Sequence, residues 1–519
     1  MPDARPENSE SKKGAPDVAR DAGRGGLAIA FAKIYFIGTG LVQQIALPRL
    51  LGLDGYGALG TALSITSITA NPITGTSIQG VSRAVAQSPG SEPAALRRTF
   101  VVHSAAAALL ALAFFTVAPF VATKIGAPHV VSALRILSAI LLLYGLYTPL
   151  VGALNGSRRL VMQAGLDIAA ATLRTAGLVT GAFIFSRARG SALAGVEGAA
   201  WGFVVGASVV LLAALAIVGV GRAGPGGPNL GRHLLFVLKL FIGQLVLNLL
   251  LQADLTFLRL FASEAAGRAA LPPTAADPFV GAYRATQLFS FLPYQLLMAV
   301  TFVLFPMLAS AAREKDQESV RAYVATGLRL ALIIAGAMVC VTSGLSTPLL
   351  KLVFGAEAAS HGARALSVLA IGFGAFAIFG ILTTVLTSLG NELASAIVTT
   401  LAAALVAIAC FSWVRGAPLS DELLLRTAVA TSTGIGLATL AACVLVHRAA
   451  GGLVPPIVFA RVVLAAVVAC VLGRLLSSAP AILVPVLAVL VAGAYLAILV
   501  VTRELGANDL SLVRRVLKR

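Results

Sequence analysis

Ionisable and amide side chains recur at helical spacing inside long apolar runs of this chain, and they are its main chemical resource. One run places Lys33, Gly40 and Gln44 on a single helical face, and the next stacks Ser64, Ser67, Asn71 and Thr74. Further along, Gln244, Asn248 and Gln252 share a face, with Asp254 on a different one. Arg284, Gln287 and Gln295 fall together, Asp167 and Arg174 lie two turns apart, and Arg329 stands in a run of its own. A charged group at the centre of a bilayer costs at least about 3 kcal/mol unless it faces protein or water. Lys33, Gln44, Asn71, Gln244, Asn248, Gln252, Arg284, Gln287 and Arg329 are therefore candidates for the lining of a polar path through an apolar solvent.

Each has a plainer reading. Amides and hydroxyls within membrane helices often only join neighbouring helices. Lys33 can snorkel to an interface, and Arg284 can sit at the outer end of its span. Asp167, Arg174 and Asp254 read either as ion- or proton-coupling groups or as packing anchors, with a structural hydrogen-bond acceptor preferred for Asp254.

Catalytic chemistry finds little purchase. The four cysteines (Cys340, Cys410, Cys443, Cys470) all fall in apolar runs without metal-ligand spacing and read as small core hydrophobes. The five histidines stand apart in sequence from one another and from carboxylate clusters, and no GxxxxGK[ST] loop occurs. No catalytic residue, metal site or cofactor is assigned.

These residues are positioned by elements that the composition identifies. The chain has 519 residues, 58% hydrophobic and only 12% charged, with a mean hydropathy of +0.93. A soluble domain carries about 25% charged residues, so the bilayer must be the main solvent. The formal charge of +18 is scattered in short connectors with no basic face, a pattern that fits loops facing anionic lipid and excludes a nucleic-acid partner.

Apolar stretches of membrane-spanning length recur along the whole chain, predicting an all-α integral membrane protein of about 14 transmembrane helices. The spans are read at 27–48, 57–82, 99–122, 132–155, 161–185, 197–220, 234–261, 281–309, 321–345, 363–389, 392–414, 423–447, 454–476 and 482–502. Pro72, Pro149 and Pro293 are expected to mark kinks. Residues 1–26 read as a disordered tail rather than a cleaved leader, because the apolar run that follows is too long. Basic residues concentrate in alternate connectors, so the positive-inside rule places both termini in the cytoplasm. The basic segment 503–519 closes on Asn508–Arg519, which reads equally as an interfacial helix and as a frayed end.

Two stretches of the first half have counterparts in the second. Gly55-Tyr56-Gly57-Ala58 opens the second span and Gly281-Ala282-Tyr283-Arg284-Ala285 the eighth. Gly126 precedes Leu134-Arg135-Ile136-Leu137 as Gly355 precedes Ala363-Arg364-Ala365-Leu366, at nearly the same offset. The shared offset implies two pseudo-symmetric six-helix lobes, 27–222 and 234–448, joined by a cytoplasmic linker at 223–233. An even number of spans per repeat makes the lobes parallel, and the last two helices (454–502) lie outside the repeat. Such lobes can rock about a central path. Gly177–Gly181 and Gly202–Gly206 read as helix-packing contacts.

The segment Leu47-Pro48-Arg49-Leu50-Leu51-Gly52-Leu53-Asp54-Gly55-Tyr56-Gly57 resembles the "ARLLGPEEYG" signature of bacterial polysaccharide flippases. Asp254, Val280-Gly281-Ala282-Tyr283, Phe305-Pro306-Met307-Leu308, Arg503-Glu504-Leu505 and Asn508-Asp509-Leu510 are similar to the family as well. The resemblance covers essentially the whole chain. It points to the multidrug/oligosaccharidyl-lipid/polysaccharide (MOP) exporter superfamily, with its MATE-like fold, and to its polysaccharide transporter and O-antigen flippase branch.

That resemblance implies flipping of a polyprenyl-diphosphate-linked oligosaccharide across the bacterial inner membrane by alternating access, with spans one, two, seven and eight lining the cavity. Membrane lipids are implied partners, together with the polysaccharide polymerase and glycosyltransferases of the same pathway. Arg suits a diphosphate because it can grip it bidentately, and amides and hydroxyls suit a sugar chain. The chain departs from the family in carrying few acidic residues within its spans. A lipid II flippase and a cation-coupled multidrug antiporter share the fold. A membrane glycosyltransferase or ligase would need a longer catalytic loop than the connector at about 262–280.

Overall fold

A computed structural model describes residues 15–506. Among them are fifteen α-helices and no strand. In order these are α1 (Ala15–Ala86), α2 (Glu92–Lys124), α3 (Val131–Gly156), α4 (Leu160–Arg189), α5 (Ala192–Val218), α6 (Leu230–Arg268), α7 (Asp277–Ser290) and α8 (Leu292–Arg313). They continue as α9 (Gln317–Gly344), α10 (Ser346–Phe354), α11 (Ala356–Ser388), α12 (Glu392–Trp413), α13 (Asp421–Ala450), α14 (Pro456–Leu475) and α15 (Val484–Val501).

Among the described residues, twelve helices are long and apolar enough to cross a membrane by length and composition. The first is long enough for two crossings, because the apolar runs expected as spans one and two are both carried by α1. It folds at Gly52, whose φ of 68° and ψ of 178° suit a residue without Cβ far better than any other. The run expected as span eight is not one helix. It divides into α7 and α8 around Phe291, because Pro293 sits in the first turn of α8 and cannot donate to the helix before it. With the second arm of α1 and the α7–α8 pair, the fourteen expected crossings all have helical counterparts.

One further difference concerns the N-terminal end. The helix begins at Ala15, so residues 15–26 are helical where an irregular tail was expected. Residues 1–14, and the Asn508–Arg519 segment read as an interfacial helix, lie outside the described residues.

Burial divides the helices into lobes. One apolar core is drawn from residues between Leu47 and Ala207 and another from residues between Leu250 and Ala450. A third joins α9 to α14 and α15, which pack on the second lobe from outside. Within the first lobe α4 and α5 meet at the glycines singled out in the sequence. A Cβ on Gly177 would stand 2.1 Å from the Gly202 carbonyl oxygen, and one on Gly206 2.6 Å from that of Leu173. Packing at that distance replaces the hydrophobic effect as the force joining helices in lipid. The residues between α5 and α6 run back along the start of α2, where Arg222 N–H donates to the Pro93 carbonyl.

Candidate functional site: a polar seam between the lobes

The second arm of α1 runs antiparallel to α6, and the two polar stripes read separately in the sequence face each other across this line. Ser64 Oγ donates to Gln252 Oε1 (2.7 Å), and Asn71 Nδ2 donates to Asn248 Oδ1 (2.9 Å). Asn248 Nδ2 turns back to the Gln244 carbonyl (2.8 Å), and Gln244 itself stands against Gly75. The pairing is complementary, with each acceptor on α6 meeting a donor on α1. Asn71, Asn248 and Gln252, three of the side chains expected to line a path, are therefore taken up in contacts between the two helices.

At one end of the seam the backbones nearly touch. A Cβ on Gly57 would lie 2.0 Å from the Asp277 carbonyl oxygen, and one on Gly281 2.3 Å from that of Leu53. Beside this crossing Arg259, 1% exposed, pairs with Asp277 and donates through Nη2 to the carbonyls of Gly126 (3.0 Å) and Pro273 (3.1 Å). Ser263 Oγ also donates to Gly126 O (3.0 Å), and His129 Nε2 lies 3.0 Å from Asp277 Oδ2. Gly126 and His129 belong to the first lobe and the other side chains to the second, so this cluster latches the lobes together. A buried pair of this kind is strongly destabilised when one partner is lost, by about 3–5 kcal/mol. Exposed Asp54, at the fold of α1, has its carboxyl pushed up by partial burial and then by the charges of Asp277 and Glu357.

At the other end Ser77 Oγ lies 2.9 Å from His103 Nδ1, and His103 Nε2 lies 3.2 Å from His233 Nε2. Arg83 places its guanidinium over the Phe236 ring, 4.2 Å from its centroid. The histidines looked isolated in the sequence. The structure corrects that reading: His103 and His233 meet, His129 reaches Asp277, and His361 meets Asp421. These contacts join residues dozens to more than a hundred positions apart, and no sequence spacing signals them.

Between the two ends lies a cationic centre. Arg284, half-buried, donates to Gln287 Oε1 (3.0 Å) and lies against the Tyr56 hydroxyl, while its stem passes over Gly60 of the first lobe. Tyr56 in turn donates to Gln44. Gln287 Nε2 donates to both Asp254 oxygens (3.0 Å each), and Tyr283 Oη (3.1 Å) and Leu255 N–H (2.8 Å) donate to the same carboxylate. Asp254 is 1% exposed and its lone pairs are taken up within the second lobe.

The remaining sequence candidates sit elsewhere. Lys33 is exposed on the first arm of α1, which packs on α4 through Tyr35 and Thr172 (2.9 Å), close enough to Asp167 for their charges to act on each other. Arg174 forms no pair with Asp167 and instead lies over the Phe203 ring. Arg329 is the clearest correction. Its Nε donates to Glu504 Oε1 (2.8 Å), with Arg461 Nη1 on the other oxygen at 3.4 Å, so it anchors the end of α15 rather than facing the seam. Glu504 lies outside every apolar run, so no pattern in the chain signals that it reaches Arg329.

A separate apolar groove of about 940 Å³ opens between α9, α11, α13 and α14, lined by residues such as Leu332, Val339, Ile378, Leu440 and Val463, with Arg474 at its edge. Among the described residues no group of three metal-ligating side chains gathers.

Comparison with known proteins agrees with this architecture. Residues 22–312, more than half of the chain, match the polysaccharide biosynthesis protein family. Among solved structures, the fold is similar to that of the lipid II flippase MurJ in an inward closed conformation, with a TM-score of 0.73 at 12% identity over 92% of this chain and 99% of that one. It is also similar to an inward-facing multidrug resistance MATE family transporter, with a TM-score of 0.62 at 15% identity over 81% of this chain and 94% of that one. A MOP superfamily transporter from Pyrococcus furiosus aligns with a TM-score of 0.59 at 15% identity, over 83% and 96% of the two chains. At these identities the likeness shows the fold alone. No curated protein matches the chain. The family match shows that the chain belongs to the polysaccharide biosynthesis protein family, and its multi-pass array of membrane-length helices carries a fold similar to that of MOP superfamily transporters.

Proposed function

We propose that the protein flips a polyprenyl-diphosphate-linked oligosaccharide from the cytoplasmic to the periplasmic leaflet of a bacterial inner membrane, by alternating access. The observation that carries this reading is the seam itself. Hydrogen-bonding groups of two rigid lobes are matched across a line where lipid-facing helices would bury only apolar atoms. Opened, the same Ser, Asn and Gln side chains become a hydrophilic wall suited to sugar hydroxyls. Such groups are expensive in a membrane unless they face protein or water, so both states use them.

In this reading the His103 end faces the cytoplasm and the Arg259–Asp277 latch faces the periplasm, following the basic connectors at Arg97, Arg98, Arg158 and Arg159. Arg284 is placed to receive a diphosphate. It is half-buried between lobes, and its present partners are neutral amide and phenol groups rather than a carboxylate. Arg delivers two parallel N–H donors to an anionic oxygen pair, which Lys cannot do. The apolar groove beside α14 offers a berth for an isoprenoid chain while the headgroup crosses. The polymerase and glycosyltransferases that use or supply such a lipid are the natural partners.

A cation-coupled drug antiporter of the same fold is less well supported, because the Asp254 carboxylate already accepts from three residues. A lipid II flippase differs in cargo alone, and one experiment separates all three. In a deletion strain, a complete lipid-linked repeat unit should accumulate on the cytoplasmic leaflet, cleared by the wild-type gene and not by Arg284→Ala. Accumulation of lipid II instead would reassign the cargo. Increased drug sensitivity with no lipid-linked glycan would overturn the flippase reading.

A further inference from the structure

We infer that His103 and His233 form a proton-binding site bridging the two lobes, whose occupancy decides whether the adjoining end of the seam is closed. This rests on the alternating-access reading above and goes beyond it to the ligand that drives the gate. His103 comes from α2 of the first lobe and His233 from the first turn of α6 in the second, and each is 6% exposed. Their Nε2 atoms are 3.2 Å apart with the rings at 73°, an edge-on approach that aims one ring nitrogen at the other. Ser77 of α1 completes the line through His103 Nδ1 at 2.9 Å. Gly80 lies beside both rings: a Cβ there would meet His233 Cε1 at 3.5 Å and His103 Nε2 at 3.6 Å in ordinary contact, with Val237 Cγ2 its tightest neighbour at 2.9 Å.

Proton counting gives the switch. With both rings neutral, one Nε2–H donates to the other Nε2 lone pair, and the Ser77 hydroxyl donates or accepts to suit the His103 tautomer. With one proton added, an imidazolium N–H still faces a lone pair, and Ser77 accepts from His103 Nδ1–H. A second added proton removes the last lone pair. Two N–H groups and two positive charges then face each other across a contact that has no acceptor. The closed seam therefore holds at most one extra proton. Separated and hydrated, each imidazole can take its own proton, as histidine side chains do in mildly acidic water. Acidification thus favours the separated state, and closure expels a proton from a doubly charged pair.

Other charges leave this logic intact. From α1 the charged group one turn on is Arg83, held over Phe236 of α6. On α2, Arg97 and Arg98 are exposed, as are Arg232 and Lys239 on α6. Among the described residues no carboxylate is hydrogen-bonded or ion-paired to either ring, and the groups that meet the His103 nitrogens are Ser77 and His233.

The test uses the full chain in nanodiscs, with the four native cysteines replaced and spin labels on Arg98→Cys and Leu235→Cys, two exposed positions flanking the pair. Between pH 7.5 and pH 5.5 the inter-label distance should shift to a longer population. The open-to-closed ratio should rise about tenfold per pH unit for each proton taken up. His103→Gln and His233→Gln, which keep a hydrogen-bonding amide and cannot titrate, should each abolish the shift. A wild type that does not respond, or a response that survives both substitutions, overturns the proposal. Should either variant elute abnormally, 15N spectra of histidine-labelled wild type decide. Two of the five imidazoles must take up protons over the pH range of the distance change, and titration of fewer than two there overturns the proposal equally. None of these readouts involves cargo, so they stand or fall separately from the glycan-accumulation experiment.

Discussion

Asp254 shows at the scale of one residue how a membrane-buried carboxylate is made safe. Two Gln287 contacts, the Tyr283 hydroxyl and the Leu255 amide surround it, and all are donors. Asp254→Ala would leave the Gln287 amide and the Tyr283 hydroxyl buried without an acceptor, at about 1–3 kcal/mol for each. The expected outcome is a clear drop in thermal unfolding temperature in detergent. Asp254→Asn, which turns one acceptor into a donor facing other donors, should fall between. If Asp254 were instead an ion-coupling site, the Asn variant would unfold at the wild-type temperature and lose only cation dependence. The polar stripes were legible in the sequence because a Gln or Asn in an apolar run stands out. Their pairing was not, since Asn71 and Asn248 are separated by 177 positions. The same blindness hid the His103–His233 contact and sent Arg329 to the path when its partner was Glu504.

Among the elements, the crossing of α1 and α7 is set by glycine rather than by side-chain fit. Gly57 and Gly281 each present bare backbone to the other helix, and a methyl group on either would overlap a carbonyl oxygen at 2.0 or 2.3 Å. Gly57→Ala and Gly281→Ala are expected to hold that end of the seam ajar. Surface polysaccharide output should then fall severalfold while membrane abundance stays near wild type. Gly38→Ala and Gly243→Ala, where a Cβ meets nothing within 4 Å, should be silent. Equal effects from all four would show that helix propensity, not the crossing, is responsible. The apolar runs that became α2–α6, α9 and α11–α15 were legible from length and hydropathy alone, whereas the short α10 falls between expected spans. Less visible were the continuity of α1 through its fold and the division of α7 from α8. Both depend on one or two backbone positions, Gly52 and Pro293, whose neighbours are as apolar as any span.

For the whole molecule, the duplication gave the two lobes, and the structure repeats the motif in chemical form. Tyr56 donates to Gln44 in the first lobe, and Tyr283 donates to Asp254 in the second, each tying the start of a lobe's second span to its first. What repetition could not supply is the state of the interface, because the offset between repeats says nothing of whether the lobes touch. In this structure they touch where Arg259 and Ser263 reach the Gly126 carbonyl and His129 reaches Asp277, along the Ser64–Gln252 and Asn71–Asn248 pairs, and at His103–His233. Transport by rocking lobes requires that the middle of this line come apart in every cycle, whereas transport along the outside of the protein does not. A variant carrying Asn71→Cys and Asn248→Cys, with the four native cysteines replaced, distinguishes the two. The native side chains already meet at 2.9 Å, so a short bifunctional thiol reagent should span the introduced pair in intact cells. Cross-linking should halt glycan translocation, reductive cleavage of a disulfide-type linker should restore it, and either single cysteine should be unaffected. Translocation that continues through a quantitative cross-link would mean that the cargo never passes between the lobes.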